Sequence, residues 1–191
     1  MKVIACNGSP RPDGNTSILL DLVCGELEAA GIDTERIQVG GQDLRPCRAC
    51  YWCAKNKNQQ CSYDGDPVND WVQRIAQADG LLLGSPTYFA DITPEMKILI
   101  DRVGFVGRVN GDLFRRKVGA AVIAVRRGGE IHAFDSINHF FLISQMIVPG
   151  SRYWNMGFGL DKGEVRDDSE GVDIMKTLGQ NMAWLLQKVN A

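Results

Sequence analysis

Four of the six cysteines in this 191-residue chain lie within one stretch of fifteen residues. They are Cys47, Cys50, Cys53 and Cys61, and their spacing is C-x2-C-x2-C-x7-C. Short gaps allow successive sulfur atoms to surround one metal cluster without the backbone crossing it, and compact runs of this kind are typical of iron–sulfur ligation. The cysteine run, residues 47–61, therefore predicts an iron–sulfur cluster and electron transfer.

The same four thiols allow other uses, and these stay open at this point. Zinc also takes four thiolates, although zinc folds usually present two separated C-x2-C pairs rather than one continuous run. Free or redox-active thiols and a disulfide are further alternatives. The remaining cysteines, Cys6 and Cys24, fall in an apolar strand and an apolar helix. There we expect small buried hydrophobic residues rather than ligands.

The composition predicts one domain that spans residues 1–191. Hydrophobic residues make up 45% of the chain. A chain of this length buries roughly 70% of the surface that its unfolded form exposes, which is enough for one full core. Residues 45–63 are expected to form a cysteine-rich insertion in that domain.

Charge and hydropathy argue against nucleic-acid and membrane partners. The formal net charge is −2 and the isoelectric point is near 5.7, so no basic excess attracts nucleic acid or an anionic membrane surface. No apolar stretch approaches transmembrane length, and Met1 leads directly into a candidate strand. We therefore expect a soluble, cytoplasmic protein, in whose reducing environment clustered cysteines are metal ligands or redox groups.

Apolar runs alternate with segments of helical periodicity along the chain. The runs predict five strands, at residues 3–6, 34–39, 80–84, 118–125 and 146–148. Most are unbroken rather than alternating, as is typical of strands buried on both faces. Helices complete five βα units, which predict an α/β fold with a doubly wound parallel sheet and helices on both faces.

Local signals place three helix ends. Asp66-Pro67 and Thr93-Pro94 each put a capping oxygen before a proline at the first helical position, and Gly31 is predicted to end the first helix. His132 and His139 fall near the fourth helix with no nucleophile at a recognisable spacing, so we assign them no catalytic role.

Two stretches do not follow the regular alternation. Residues 40–65 carry the cysteine run, and residues 149–170 are rich in glycine, aromatic and acidic side chains. Because irregular segments carry most binding and catalytic residues, we expect function or subunit contacts there. Tyr153 and Trp154, in the second stretch, are expected either to fill the edge of the core or to pack on a neighbouring subunit.

The loop after the first strand, residues 7–17, reads NGSPRPDGNTS and opens into the first helix. It gathers N–H groups, hydroxyls and one guanidinium at a helix N-terminus, where the helix dipole favours an anion. Its candidate side chains are Ser9, Arg11, Asn15, Thr16 and Ser17. It matches neither a dinucleotide-binding fingerprint nor a Walker loop, so a monophosphate is the better candidate ligand. The alternative is an ordinary polar turn capped by Asn15 or Thr16.

Two further loops are expected at the same edge of the sheet. Residues 84–94 contain Pro86, Thr87, Tyr88 and Phe89. In the strand order 2-1-3-4-5 this loop lies beside residues 7–17, where the order reverses. It can support a planar ring, or its aromatics can simply cover the core.

The loop of residues 125–130 contains Arg126, Arg127, Gly128 and Gly129. The two glycines permit close approach to a ligand or form a flexible turn. Either arginine can stabilise charge on a reduced flavin or meet a nicotinamide phosphate, or can remain a solvated surface residue.

Several of these motifs together resemble one family, the NAD(P)H-dependent FMN reductases of the flavodoxin-like superfamily, and within it the iron–sulfur flavoproteins. The motifs are residues 8–11 (GSPR), 14–16 (GNT), 85–89 (SPTYF), 96–102 (MK-x3-DR) and the cysteine run. The resemblance spans most of the chain. It implies a flavodoxin-like three-layer sandwich.

The resemblance also implies cofactors and their sites. FMN would bind with its phosphate at Ser9, Arg11, Asn15, Thr16 and Ser17 and its isoalloxazine ring against Pro86, Thr87, Tyr88 and Phe89. From the loop pattern above, we add Arg126, Gly128 and Gly129 as candidate cofactor-binding residues. A [4Fe–4S] cluster would lie close to the flavin, held by Cys47, Cys50, Cys53 and Cys61. Proteins of this kind form homodimers or homotetramers with the flavin near a subunit interface.

Three functions follow as hypotheses. The first is an FMN oxidoreductase that takes electrons from NAD(P)H and passes them to a small quinone-like acceptor, or through the cluster to a redox partner, with FMN rather than a side chain performing the chemistry. The second is a non-enzymatic carrier that exchanges electrons with a ferredoxin-like protein. The third is a zinc-stabilised module that binds another phosphorylated ligand.

Overall fold

Five parallel strands form one sheet in the computed structural model, which describes residues 1–190. The strands are β1 (Lys2–Asn7), β2 (Asp33–Gln38), β3 (Gly80–Pro86), β4 (Val118–Val125) and β5 (Met156–Phe158). Their order is β2-β1-β3-β4-β5, which confirms the predicted topology. The order reverses between β1 and β3, and ligands of open α/β sheets bind beyond the strand ends at such a point.

Helices cover both faces of this sheet. They are α1 (Asn15–Ala29), α2 (Trp52–Asn56), α3 (Val68–Gln77), α4 (Pro94–Val109), α5 (Glu130–Ile143) and α6 (Ser169–Val189), with a short 3-10 turn at Glu164–Arg166. The short α2 lies inside the cysteine run, where no helix was predicted. None of the helices in residues 1–190 combines the length and hydrophobicity of a membrane span.

The two faces of the sheet pack into two separate cores. α1 and α6 cover one set of strand residues, which includes Val3, Ala5 and Val122. α3, α4 and α5 cover the opposite set, which includes Ile4 and Leu83. Successive strand residues point to opposite faces. A strand with a core on each side is therefore apolar throughout, and all eight residues of β4 are buried.

The predicted strand at residues 146–148 is wrong. Only Ile147 pairs there, through an isolated parallel bridge to Val118 at the start of β4. Pro149 follows, and it has no N–H to continue the ladder. The chain then loops out and returns at Met156, where β5 pairs with the end of β4. The edge of the sheet is therefore filled by two pieces of chain.

Helix boundaries follow the capping signals closely. Thr93 is the N-cap of α4 and accepts a hydrogen bond from the N–H of Met96, as predicted. Gly31 follows the end of α1 at a φ of +77°, a conformation that favours glycine. α3 begins one residue later than predicted, because Pro67 is its N-cap. Asp66 nevertheless accepts a hydrogen bond from the N–H of Val68 at 3.2 Å.

Candidate functional site

The loop after β1 is joined directly to the loop after β3. The N–H of Gly8 donates to the carbonyl of Gly84 at 2.7 Å, and the hydroxyl of Thr93 donates to the carbonyl of Gly8 at 2.9 Å. A Cβ atom at Gly8 would lie only 2.9 Å from the Gly84 oxygen. The two predicted ligand loops therefore meet where the strand order reverses.

The N-terminus of α1 is open to an anion. Its N-cap residue is Gly14, which has no side chain to accept from the first-turn N–H groups. Ser9, Thr16 and Ser17 are buried around this end, while Arg11 is exposed beside it. The alternative of a turn capped by Asn15 or Thr16 is wrong, and the uncapped N–H groups are suited to a phosphate.

The Asn15 side chain points to another segment. Its Nδ2 donates to the carbonyl of Asp161 at 2.9 Å, and its Oδ1 accepts from the N–H of Gly163 at 2.8 Å. Lys162, between these two partners, forms an ion pair with Asp13 in the loop. The amide of Asn15 therefore ties residues 7–17 to the segment before α6, and its main-chain N–H remains at the helix end.

Gln38, at the end of β2, holds this loop, and it was missed from the sequence. Its Nε2 donates to the carbonyls of Ser9 at 2.7 Å and Gly40 at 2.8 Å. Its Oε1 accepts from Asn7 at 2.9 Å. A Cβ atom at Gly40 would overlap the main chain of Gly8 and Ser9. An amide at a strand end followed by two glycines was the signal available.

The turn after β3 projects away from the protein. Tyr88 and Asp91 exchange two main-chain hydrogen bonds, of 2.8 and 3.0 Å, and Phe89 and Ala90 between them have positive φ values of 46° and 63°. Tyr88 is 45% exposed and Phe89 is 108% exposed. These two rings therefore do not cover the core, and they are free to contact a ligand or another chain.

The loop after β4 completes the edge. The N–H of Thr87 donates to the carbonyl of Ala124 at 2.9 Å. Gly129 has a φ of +89°, and a Cβ atom there would lie 2.7 Å from the Cα of Ala90. Arg126 and Gly128 are exposed beside it. All three loops therefore converge at one end of the sheet.

The hydroxyl of Thr87 is buried at this edge and has no hydrogen-bond partner among residues 1–190. Buried polar atoms are nearly always paired in folded proteins. A ligand polar atom would supply the missing partner.

The cysteine run curls on itself. Ala49 and Tyr51 adopt positive φ values of 51° and 57°, one in each two-residue gap between its first three cysteines. This conformation costs L-residues about 1–2 kcal/mol each, so the surrounding structure must favour the curl. All four thiols are free.

The four thiols differ in exposure and electrostatics. Cys47 and Cys50 are exposed, Cys53 is buried and Cys61 is intermediate. Burial raises the pKa of Cys53, and the charges of Cys61 and Cys47 also raise it. A hydrogen bond with Ser62 lowers the pKa of Cys50. The Cys50 thiol therefore loses its proton more readily than the Cys53 thiol.

The run is anchored on α3 and α4 by side chains that were not predicted. Asn69 accepts from the N–H of Cys61 at 2.7 Å and donates to its carbonyl at 3.2 Å. Gln73 donates to the carbonyl of Gln59 at 2.9 Å, and Asn110 accepts from the N–H of Gln59 at 3.0 Å. Both helices therefore fix the second half of the run.

The donor chemistry of the run fits a thiophilic metal or an iron–sulfur cluster, since four unbridged thiols lie on one curled segment. Within residues 1–190, however, no three His, Cys, Asp or Glu side chains are arranged as a set that holds a metal ion. The cluster therefore stays a prediction.

The other cysteines behave as expected from the sequence. Cys6 and Cys24 are both buried, and burial raises the pKa of Cys6 to about 12. They contribute to the cores and are not candidate ligands.

The segment between the two edge pieces of the sheet carries an aromatic pair. The rings of Tyr153 and Trp154 lie 4.3 Å apart, edge to face, and both side chains are about half exposed. With Phe134, Leu142 and Val148 they line a surface cavity of about 430 Å³. The aromatics therefore do not fill the edge of the core.

Comparisons with known proteins give the same family over the whole chain. A family model described as NADPH-dependent FMN reductase matches residues 1–161. An iron–sulfur flavoprotein of Methanocaldococcus jannaschii is 34% identical over 201 aligned residues, covering 99% of both chains. A second one from that organism is 29% identical and covers 98% of both chains.

A solved structure shows the same fold at low sequence identity. The crystal structure of RosB with bound 8-demethyl-8-formylriboflavin-5'-phosphate superposes with a TM-score of 0.78 and 18% identity, over all of this chain and 80% of that one. The strand order β2-β1-β3-β4-β5 is that of flavodoxin, and a flavodoxin from the domain Archaea also superposes on this chain, so the fold is flavodoxin-like. On the family model and the two full-length relatives, which are named iron–sulfur flavoproteins, this chain belongs to the NADPH-dependent FMN reductase family.

Proposed function

We propose that this FMN-dependent oxidoreductase takes electrons from NAD(P)H and passes them to a small quinone-like acceptor, or through an iron–sulfur cluster to a redox protein. The family supports FMN chemistry, and its description supports NADPH as the donor. The observation that carries the proposal is the contact of Gly8 with Gly84 and Thr93, which brings two ligand loops together. We retain a cytoplasmic location as part of the proposal.

The FMN phosphate is assigned to residues 7–17, from here on called the phosphate loop. The uncapped N–H groups of Asn15, Thr16 and Ser17 and the hydroxyl of Ser9 would bind it, and Arg11 would supply the counter-charge. This assignment is supported by the absence of a side-chain cap at Gly14.

The isoalloxazine ring is assigned to the edge formed by Pro86, Thr87, Tyr88 and Phe89. Gly129 and Gly128 would approach it from the neighbouring loop, with Arg126 beside them. The buried, unpaired hydroxyl of Thr87 supports this assignment, since a ring heteroatom would satisfy it.

Bound FMN would supply hydride acceptance from a nicotinamide and electron transfer in single or paired steps. The residues of the chain have the tasks of binding and orientation. The phosphate loop would hold one end of the cofactor, residues 86–89 would orient the other, and no side-chain acid or base is assigned.

A [4Fe–4S] cluster on Cys47, Cys50, Cys53 and Cys61 is the second part of the proposal. The names of the full-length relatives support it, as do the four free thiols and the curl at Ala49. The cluster would exchange single electrons with a protein partner.

Anaerobic purification followed by assays of iron, sulfide and FMN tests both parts. We expect flavin absorbance, four-iron stoichiometry and bleaching of the flavin by NADPH or NADH. Cys53→Ala should remove iron and spare FMN. Cys24→Ala is the matched control, because both side chains are 7% exposed and Cys24 lies in the α1 core. Protein that takes up no FMN, or Cys53→Ala with full iron content, would contradict the proposal.

An electron carrier coupled to a ferredoxin-like protein is the second candidate. The exposed Cys47 and Cys50 favour it, because a cluster on them would be accessible to another protein. Bleaching by reduced ferredoxin but by neither nicotinamide would decide for the carrier. Zinc without iron or flavin in metal analysis would instead favour a zinc-stabilised module.

We also propose a homodimer or homotetramer. Phe89, Leu142 and Ile143 are large apolar side chains that are more than half exposed, and such side chains are enriched at subunit contacts. Light scattering coupled to size exclusion would measure the mass, and a monomer at micromolar concentration would contradict this part.

A further inference from the structure

One arginine of α4 is almost completely buried. Arg102 is 2% exposed, and the side chains of Arg102 and its ion-pair partner Asp66 are both 1% exposed. Arginine is rarely buried to this extent unless it is paired, because removing a charge from water is costly. Such a residue therefore requires a structural or chemical reason.

Arg102 holds together the two ends of the cysteine insertion. Its Nη1 donates to Asp66 and to the carbonyl of Arg45 at 3.2 Å, and its Nη2 donates to the carbonyl of Tyr63 at 3.1 Å. The ring of Tyr63 also faces two guanidinium groups. Its centroid lies 4.9 Å from the Cζ of Arg45 and 5.6 Å from the Cζ of Arg102. One buried cation therefore holds both ends of the cysteine-rich insertion, residues 45–63.

One donor of Arg102 is unused. Its Nε is buried and has no hydrogen-bond partner among residues 1–190. Arg102 lies close to the last ligand along the chain, because Tyr63, whose carbonyl accepts from its Nη2, is two residues after Cys61. Asn69 fixes the main chain of Cys61 through its N–H and its carbonyl.

We propose that Arg102 is a positioning residue for the cluster: its buried guanidinium fixes Arg45 and Tyr63, each two residues outside the first and last ligands, and its unpaired Nε–H is available to a sulfur of the cluster. This inference rests on the proposed cluster. A cation beside the cluster stabilises the reduced form, which carries one more negative charge, and so raises the reduction potential. The carboxylate of Asp66 has the opposite effect.

The test compares anaerobically reconstituted holoprotein with three variants. Arg102→Gln should lower the midpoint potential of the cluster, whereas Asp66→Asn, which keeps the shape and an accepting oxygen, should raise it. Arg102→Lys keeps the charge but loses the forked geometry, so a chelator should remove iron about tenfold faster. Arg108→Gln, which removes an exposed arginine of the same helix, is the control and should release iron at the wild-type rate.

Midpoint potentials are measured by redox titration followed by electron paramagnetic resonance. If Arg102 and Asp66 had a purely structural role, Arg102→Gln and Asp66→Asn would not shift the potential in opposite directions. Unchanged potentials, or shifts of the same sign in Arg102→Gln and Asp66→Asn, would overturn the inference. If Arg102→Gln does not fold, Asp66→Asn decides alone, because its potential must rise. Wild-type protein that binds no iron would overturn the proposed cluster, and this inference with it.

Discussion

The hydroxyl of Thr93 donates a hydrogen bond to the carbonyl of Gly8, 85 positions earlier in the chain, at 2.9 Å. The same hydroxyl accepts from the N–H of Met96 and caps α4, and the hydroxyl of Ser85 accepts from the N–H of Thr93 at 3.1 Å. A single buried side chain therefore starts a helix and fixes the beginning of the phosphate loop.

Thr93→Val should weaken both the fold and FMN binding. The substitution keeps the shape but leaves the Gly8 carbonyl and the Met96 N–H without their partner, which costs about 1–3 kcal/mol of unfolding free energy. Urea unfolding and FMN titration measure the two effects. Thr177→Val, at a half-buried position on α6, is the control. Wild-type values for Thr93→Val in both measurements would show that the hydrogen bond from Thr93 to Gly8 contributes neither to stability nor to FMN binding.

Gly40→Ala should displace the phosphate loop, because the added Cβ would overlap main-chain atoms of Gly8 and Ser9 that cannot move independently. We expect FMN affinity to fall at least about tenfold, the equivalent of one lost charge-assisted hydrogen bond. Gly25→Ala is the matched control. It lies exposed in α1 with nothing within 4 Å of the new atom and should stabilise the protein by about 0.5–1 kcal/mol. Equal FMN affinity in the two variants would contradict the loop assignment.

Arg11→Ala should weaken FMN binding by about 1.5–3 kcal/mol, the scale of a hydrogen bond between charged groups. Fluorescence titration of the metal-free protein measures the dissociation constant. Arg115→Ala removes another exposed arginine, from the loop before β4 at the opposite end of the sheet, and should change nothing. An unchanged constant for Arg11→Ala would remove this arginine from the phosphate site.

Acid stability should depend on Glu35. Hydrogen bonds from Lys2 and Arg74 lower the pKa of this carboxyl below its usual 4.5. The ionised Glu35 carboxylate therefore contributes fully to the free energy of unfolding above pH 4.5. This contribution is lost as the pH falls through the lower pKa of the folded state. The partners are partly exposed, so the effect is about 0.5–1 kcal/mol.

In Glu35→Gln, the unfolding free energy should fall less steeply than in the wild type as the pH drops below 4.5. Asp43→Asn, at an exposed loop position, should keep the wild-type dependence on pH. Denaturant unfolding measured at several acidic pH values gives the comparison. Parallel curves for the wild type and Glu35→Gln would mean that the ion pairs do not contribute.

The central strands could be predicted because a two-sided core leaves them apolar at every position. The predicted bounds of β4 match the observed strand Val118–Val125. The edge strand could not be predicted in this way, because β5 has only three residues, one of them Gly157. The more apolar run at residues 146–148 was the stronger pattern, yet it forms one bridge.

The motifs predicted which loops would meet, but not what holds them. The contacts of Gln38 with Ser9 and of Thr93 with Gly8 join segments that are distant in sequence, so a local pattern can mark the residue but not its partner. Arg102 was noticed only as part of a motif, because a charged helix residue is normally exposed. Its burial depends on the insertion that folds over it.

Binding of FMN compared with riboflavin tests the phosphate loop most directly, since the two ligands differ only in the phosphate group. Both are titrated into flavin-free protein, and the quenching of their fluorescence is followed. We predict that FMN binds at least about tenfold more tightly than riboflavin, and that Arg11→Ala narrows the difference. Equal dissociation constants for the two flavins would mean that residues 7–17 do not hold a phosphate.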